Sequence, residues 1–341
     1  MIDAEYVLPL RWSNDSELDE LAAYLQELRG WVLVTVVDGS GADLFARHAR
    51  ALPPGVVHVA PEPWPGGNGK VAGVMTGMRL ARAERVVVAD DDVRYTEDEL
   101  RRVVGLLEHA EIVLPANYFD PRPWHARWDT SRSLLNRALG SDHPGTLAVR
   151  RSVLLAAGGY AGDVLFENLE LLRTVRAAGG RERRADDVLI RRLPPTFRHF
   201  RSQRVRQAYD DFAQPPRLIA ELMIVPLVLA GCAARRPGPI LAGVSALVVL
   251  AEVGRRRGGG ARVFPATSAL WLPLWLGERA VCVWLALAAR LRGGVRYSGG
   301  RLLRAGTPRR ELRRRVAAAA AVAASEPEHK AVADAAERER T

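Results

Sequence analysis

The chain has 341 residues and a formal net charge of +10, carried almost wholly by arginine, with only two cysteines. That length allows one domain of ordinary size and something beyond it. Cys232 and Cys282 both lie in apolar stretches, which excludes a disulfide framework and a cysteine metal cluster. No zinc-finger or RNA-binding motif is legible, which sets nucleic acid aside as the partner of the basic charge.

Tyr6 to Leu10 reads as a short buried strand. Ser16 then precedes a helical pattern with Leu18, Leu21, Ala22, Leu25 and Leu28 on one face. Trp31 to Val37 is a second strand, running into Asp38-Gly39-Ser40, and Val56 to Ala60 a third. After a Pro/Gly-rich loop from Pro61 to Gly69, the helical period returns at Lys70 with Val71, Val74, Met75 and Met78. Arg85 to Ala89 is a fourth strand, ending in Asp90-Asp91-Asp92. Leu100, Val103, Val104 and Leu107 mark another helix, and Glu111 to Leu114 another strand. Strand and helix alternating at this spacing predict a Rossmann-type, mostly parallel α/β sheet with helices on both faces. In such sheets ligands bind beyond the carboxyl ends of the strands, where Asp38 and Asp90 to Asp92 fall.

The composition changes after Gln214-Pro215-Pro216. Arg217 to Ala234 and Pro239 to Val253 are each near the lower length limit for a spanning helix. Phe264 to Ala289 is longer, but Gly277-Glu278-Arg279 interrupts it, and a charged pair at mid-bilayer is expensive. This third stretch is therefore expected to be a bent re-entrant or interfacial hairpin, with Trp271, Trp275 and Trp284 at headgroup level. Arginines flank the apolar runs at Arg235, Arg236, Arg255 to Arg257, Arg290, Arg292 and Arg309 to Arg315, as the positive-inside rule and anionic headgroups require. Two crossings would leave the basic end beside the N-terminal domain; three would put it across the membrane. From Ala317 the chain is Ala- and Glu-rich, a frayed helix or disorder. MIDAEYVLPL has no basic segment followed by an apolar core, so no signal peptide is expected and the N-terminal domain should stay in the cytoplasm.

Two carboxylates one residue apart, as in the Asp triplet, can hold Mg²⁺ or Mn²⁺ together with a diphosphate; a solvated turn or helix cap is the plainer alternative. Asp38 in its D-G-S turn can accept bonds from a base or ribose, or simply close a turn. Gly66-Gly67-Asn68-Gly69-Lys70 offers a flexible loop with a cation at a helix head. A P-loop is excluded, since Trp64 and Val71 stand where glycine and Ser or Thr belong. His125, His143 and His199 show no metal-ligand spacing and read as surface or hydrogen-bonded structural residues. Trp124 and Trp128 could floor an acceptor site or pack.

In order, Val36-Val37-Asp38-Gly39-Ser40, Gly69-Lys70 and the Asp triplet followed by Val93 resemble the family-2 glycosyltransferases of GT-A fold. Gly145-Thr146-Leu147-Ala148-Val149-Arg150-Arg151 with Gly158-Gly159-Tyr160 is similar to that family's acceptor-side strand and turn. Phe166-Glu167-Asn168-Leu169-Glu170-Leu171 sits where the family has E-D-x-E-L, and Gln203-Arg204-Val205-Arg206-Gln207 resembles the Q-x-x-R-W motif of its membrane-integrated members. The likeness runs from about residue 5 to 215 and reaches, less specifically, Gly294-Val295-Arg296-Tyr297, a segment similar to one in ceramide-, carotenoid- and hopanoid-type lipid glycosyltransferases.

The resemblance implies that Asp38 contacts the nucleotide base and that Asp90 and Asp92 bind the donor diphosphate through metal. It also implies that Lys70 and Asp91 belong to the donor site and that Gln203 and Arg206 close over the phosphates, the arginine meeting charge on the leaving diphosphate. The family's general base falls at Asn168, which cannot accept a proton at neutral pH. Glu167 or Glu170, each within one helical turn, is expected to substitute; the alternative is an inactive nucleotide-sugar-binding or scaffold protein. A polysaccharide-exporting synthase would need more spanning helices. The expected organisation is a GT-A-like catalytic domain over 1–214, membrane-anchoring helices over 215–292 with two spans plus the hairpin, and a basic juxtamembrane segment and tail over 293–341. The expected reaction is metal-dependent, inverting transfer from a nucleotide-sugar, UDP favoured, to a lipid hydroxyl at the cytoplasmic face of the plasma membrane.

Overall fold

The computed structural model describes residues 1–297 and 300–322. The chain opens with β1 (Glu5–Leu10), α1 (Leu18–Leu28), β2 (Leu33–Asp38), α2 (Ala42–Ala51) and β3 (Val57–Val59). It continues with α3 (Gly69–Leu80), β4 (Arg85–Ala89), the two-residue β5 (Val93–Arg94) and α4 (Glu97–Gly105). Then come β6 (Ile112–Phe119), α5 (Trp124–Ala138), β7 (Thr146–Arg150), α6 (Arg151–Ala156), α7 (Glu167–Ala177) and β8 (Glu182–Arg192). These strands form one eight-stranded sheet in the order β3-β2-β1-β4-β7-β6-β8-β5. β1 lies parallel to β2 and β4, β2 to β3, and β6 to β8. β7 runs antiparallel to both its neighbours and β5 antiparallel to β8. The sheet is therefore mostly parallel, with one reversed strand inserted at its centre.

Its apolar runs are continuous because helices cover both faces: Tyr6, Val7 and Leu8 have no exposed surface. On one face α1 and α4 pack through Leu21, Leu25, Leu100 and Val103. On the other α3 and α7 pack through Val71, Met75, Met78, Leu169 and Leu172. Each such buried side chain contributes about 1.5–3 kcal/mol. Helix α3 approaches the sheet closely: a Cβ at Gly77 would stand 2.3 Å from Val7 Cγ1. Glu17 precedes α1 with no side-chain cap, and Ser16 bonds to Asn14.

Past the sheet lie α8 (Phe197–Tyr209), α9 (Pro215–Leu222), α10 (Ile224–Ala233), α11 (Gly238–Arg256) and α12 (Leu272–Leu291). Three stretches are long and apolar enough to cross a membrane: Pro215–Ala233, Gly238–Arg262 and Ser268–Leu291. The bend expected at Gly277-Glu278-Arg279 is absent, because α12 is one continuous helix. Its charges do not face lipid. Arg279, 1% exposed, lies 3.2 Å from Asp211 and 3.7 Å from Glu221, while Glu278 stands 3.6 Å from Arg204. With charged partners on the sheet domain, the pair gives the helix no reason to break.

Each end of the apolar region is anchored to the sheet domain. Near the foot of α11, buried Arg137 of α5 donates to the carbonyls of Gly254 and Arg257 at 3.2 and 2.6 Å. Helix α12 packs along α5 and α8. After it, β9 (Val295–Tyr297) pairs with β10 (Gly300–Leu302), and the Tyr297 hydroxyl donates to Asn68 at 3.1 Å. A helix from 309 to 322 follows; the rest of the expected tail, 323–341, lies outside the described residues.

Candidate active site

The carboxyl ends of β1, β2 and β4 open into a cleft of about 960 Å³, walled by α8 and lined also by Phe264 and Tyr297. Its floor is the Asp triplet. The reversed strand β7 fixes the triplet's entry: the Asp90 amide donates to the Gly145 carbonyl at 2.8 Å. A Cβ at Gly145 would come within 2.7 Å of both the Arg192 guanidinium and an Asp90 oxygen, so no side chain fits there.

Lys70, at the head of α3, reaches Asp90 Oδ1 at 2.6 Å and Glu167 Oε1 at 2.8 Å. Burial would depress its ammonium, but Asp90 and Glu167 outweigh that and hold it well above its ordinary value. Arg192, at the end of β8, lies between the outer aspartates, with Nη2 2.7 Å from Asp92 and 3.4 Å from Asp90, and Nε 3.0 Å from Asp92. Burial would raise Asp90, and Lys70 and Arg192 pull it below its ordinary range. For Asp92 burial wins over Arg192 and pushes the carboxyl up to about 6. Asp91 is likewise raised by burial, and it accepts a hydrogen bond from the Trp12 indole. Gln203, Arg206 and Gln207 line the cleft from α8, with Arg206 over the Tyr297 ring at 5.4 Å.

Seven of the nine expected site residues thus meet here: Lys70, Asp90, Asp91, Asp92, Glu167, Gln203 and Arg206. Two do not. Asp38 lies beneath the cleft floor at 1% exposure, its Oδ1 accepting from the Ser40 amide at 2.9 Å. Its Oδ2 faces His48 Nδ1 at 2.6 Å and His58 Nε2 at 3.1 Å. Burial would raise this carboxyl, and these bonds outweigh it and lower it. With both oxygens engaged, Asp38 supports the floor from below: Ser40 Oγ accepts from the Trp12 amide at 2.9 Å, and Trp12 binds Asp91. Glu170 is 1% exposed and does not line the cleft; its Oε2 accepts from the Thr307 amide at 2.9 Å. Helix rotation leaves Glu170 only about 60° around α7 from Glu167, and it is the bond from the Thr307 amide that holds its carboxylate in the core.

Asn168 is held in place by donating to the Pro144 carbonyl at 3.0 Å. His125 is structural as expected, 2.8 Å from the Pro195 carbonyl, and Trp124 and Trp128 pack against Phe197 and Phe200 outside the cleft. Arg192, Trp12, His48 and His58 had no motif to mark them.

Among the described residues no group of three His, Cys, Asp or Glu side chains could hold a metal ion. Asp90 and Asp92 nevertheless suit a hard cation that takes its remaining ligands from a diphosphate and water, as Mg²⁺ commonly does.

A sheet presenting an acidic triplet, a lysine and an arginine-bearing helix beyond its strand ends defines the GT-A class of fold. Residues 18–162 match the model of Glycosyl transferase family 2. Among solved structures it is similar to a mannosyltransferase from Pyrobaculum calidifontis in complex with GDP-Man and Mn²⁺, at 19% identity over 85% of this chain and 87% of that one, with a TM-score of 0.49. It is also similar to mannosyl-3-phosphoglycerate synthase from Rubrobacter xylanophilus, at 15% identity over 58% and 69%, TM-score 0.39. For glucosyl-3-phosphoglycerate synthase from Mycobacterium tuberculosis the values are 20%, 58%, 74% and 0.40. No curated protein sequence matches the chain.

Proposed function

We propose that this chain transfers a sugar from a nucleotide-sugar to a hydroxyl of a lipid acceptor, at the cytoplasmic face of the plasma membrane and with a divalent cation. The observation that carries the reading is the cleft itself, in which Lys70, Arg192 and Arg206 gather around Asp90, Asp92 and Glu167 at its floor.

Asp90 and Asp92 would hold Mg²⁺ or Mn²⁺, which when bound supplies positive charge to the departing diphosphate. Arg192 must then leave the carboxylates, and its guanidinium is free to turn to the diphosphate. Lys70 and Arg206 add fixed positive charge where the leaving group develops its negative charge. Trp12 and the Asp38–Ser40 turn beneath it form the nucleoside end. At the other end the acceptor oxygen bonds to the anomeric carbon as the bond to the diphosphate breaks, with inversion, and the hydroxyl proton passes to Glu167. That carboxylate takes over from Asn168 because it is its neighbour on α7 and faces the cleft.

The anchoring reading rests on connectivity. The chain leaves the sheet domain at 215 and returns to it at the foot of α11. Both ends of α12 lie against it as well. A chain that starts and ends on one side crosses an even number of times, which supports two crossings, Pro215–Ala233 and Gly238–Arg262, with α12 lying at the interface. An active site held at the bilayer favours a lipid-soluble acceptor.

The second reading, a nucleotide-sugar-binding protein without turnover, is favoured by Asn168 alone. The deciding experiment offers labelled nucleotide-sugars to membranes containing the protein, with Mn²⁺ or Mg²⁺ and with Asp92→Ala as control. Label entering the lipid extract only with metal and intact Asp92 is expected. Metal-dependent donor binding without transfer under any acceptor would overturn the enzyme in favour of the binding protein.

A further inference from the structure

A second cavity, of about 1010 Å³, lies where the feet of the apolar helices meet α5 and α7. Its inner surface is mostly apolar, built from Leu172, Ile224, Leu247, Trp275 and Leu276. Four of these five side chains come from the three stretches that are apolar enough to enter a bilayer. An apolar pocket so placed is open to acyl chains.

Its polar side is cationic. Arg173 of α7 and Arg309, at the start of helix 309–322, both line it. The other arginines there have acidic partners: Arg184 lies 2.9 Å from Glu182, and Arg217 3.0 Å from Asp211 and 3.1 Å from Glu221. Arg173 instead donates to the Ala213 carbonyl at 2.8 Å. Among the described residues neither Arg173 nor Arg309 forms an ion pair. Burial, and then the neighbouring Arg309, makes the charged form of Arg173 less favourable than usual, and the nearby Glu170 carboxylate offsets this only in part. The turn between them leaves a donor unused: Thr307 has no exposed surface, lines the cavity, and its hydroxyl has no hydrogen-bond partner. A Cβ on the adjacent Gly306 would stand 3.4 Å from Arg173 Nη1, so the guanidinium lies against this turn. Helix 309–322 adds the positive end of its dipole at the same place.

Two unpaired guanidinium groups, an unused buried hydroxyl and a helix N-terminus call for an anion with several acceptor oxygens. The apolar wall beside them calls for a chain. We propose that this cavity binds the headgroup phosphate of an anionic membrane phospholipid, with Arg173, Arg309 and Thr307 on the phosphate and an acyl chain along Ile224, Leu247 and Trp275. The site adjoins the donor cleft through His143, which lines both, but the proposal does not depend on the reaction assigned to that cleft.

The test uses the full chain purified in detergent. Its thermal unfolding is followed while phosphatidylglycerol, or phosphatidylcholine of the same acyl chains, is titrated, and lipids retained are counted by native mass spectrometry. A lipid that binds only the folded state raises the unfolding temperature with its concentration. We expect retention of one phosphatidylglycerol per chain, an upward shift with that lipid and little with phosphatidylcholine, and no displacement by millimolar inorganic phosphate. In Arg173→Gln/Arg309→Gln the shift is lost and retention falls at least fivefold, while the lipid-free unfolding temperature stays near that of the unaltered protein. Should that variant fail to fold, Arg173→Lys/Arg309→Lys keeps both charges and should retain a weakened shift. Equal shifts from both lipids would overturn the proposal, leaving apolar contact only. So would undiminished retention in the Gln variant, or displacement by free phosphate.

Discussion

Arg192 makes three contacts of 2.7 to 3.1 Å with Asp92 and one of 3.4 Å with Asp90, so removing it leaves Asp92 without its cation beside an Asp90 that keeps only Lys70. Its side chain is 23% exposed, so the loss should fall below the ~3–5 kcal/mol of a fully buried pair, on the order of 2 kcal/mol. Arg192→Ala is therefore expected to lower the unfolding temperature without metal, and Mn²⁺ should restore more of it than in the unaltered protein, because the competing cation is gone. Calorimetry with and without Mn²⁺ measures this; equal metal effects in the two proteins would show that Arg192 does not compete for the site. Glu167→Gln keeps the shape of the cleft but removes its proton acceptor. Donor binding should persist while turnover falls about 10²–10⁴-fold, the usual worth of general base catalysis. Full activity in that variant, by radiolabel transfer, would remove Glu167 from the mechanism.

At the scale of elements, the contact between α12 and the sheet domain is a chain of buried charge: Asp129, Arg204, Glu278, then Arg279, Asp211 and Glu221. Breaking such a pair on one side costs about 3–5 kcal/mol, since it strands the remaining charges. Arg279→Ala should therefore loosen α12 and make the linker after α8 sensitive to limited proteolysis, whereas Arg292→Ala, beyond the helix, should not. Unchanged digestion of the Arg279 variant would show that the helix is held by its apolar face alone. This network also explains what could be read from the sequence. The 3.6-residue period of α1 and α3, the apolar runs of β1, β2 and β4, and the Asp triplet at a strand end are local patterns, and each is found where it was expected. Asp38 was legible as a residue at a strand end, but not the two histidines beneath it, which come from α2 and β3. Arg192 meets Asp92 across a hundred residues of chain, and nothing local marks that encounter. The Glu278-Arg279 pair was misread for the same reason: taken alone, it is a charge in an apolar run that should break a helix, and only its distant partners let the helix continue.

For the molecule as a whole, the proposed two crossings would place the loop between α10 and α11 across the membrane from everything else. Arg235 is exposed in that loop, and Arg301, in β10, is exposed on the sheet-domain side. With Cys232 replaced by serine, Arg235→Cys should react with a membrane-impermeant maleimide added to intact cells, and Arg301→Cys only after the membrane is opened. Labelling of both from outside would mean that the catalytic domain faces the exterior, and labelling of neither that the hairpin does not cross.

Because α8 is joined to α12 through Arg204 and Glu278, the helix that carries Gln203 and Arg206 cannot move independently of α12. With α12 at the interface as proposed, the mouth of the cleft would stand at one height above the lipid. Such an enzyme would choose its acceptor partly by reach. A hydroxyl close above the headgroups arrives at Glu167, one lying deeper in the hydrocarbon falls short, and one carried on a long flexible spacer overshoots. Lengthening the acceptor's polar stem would then act as a steric filter even though no side chain in the cleft had changed.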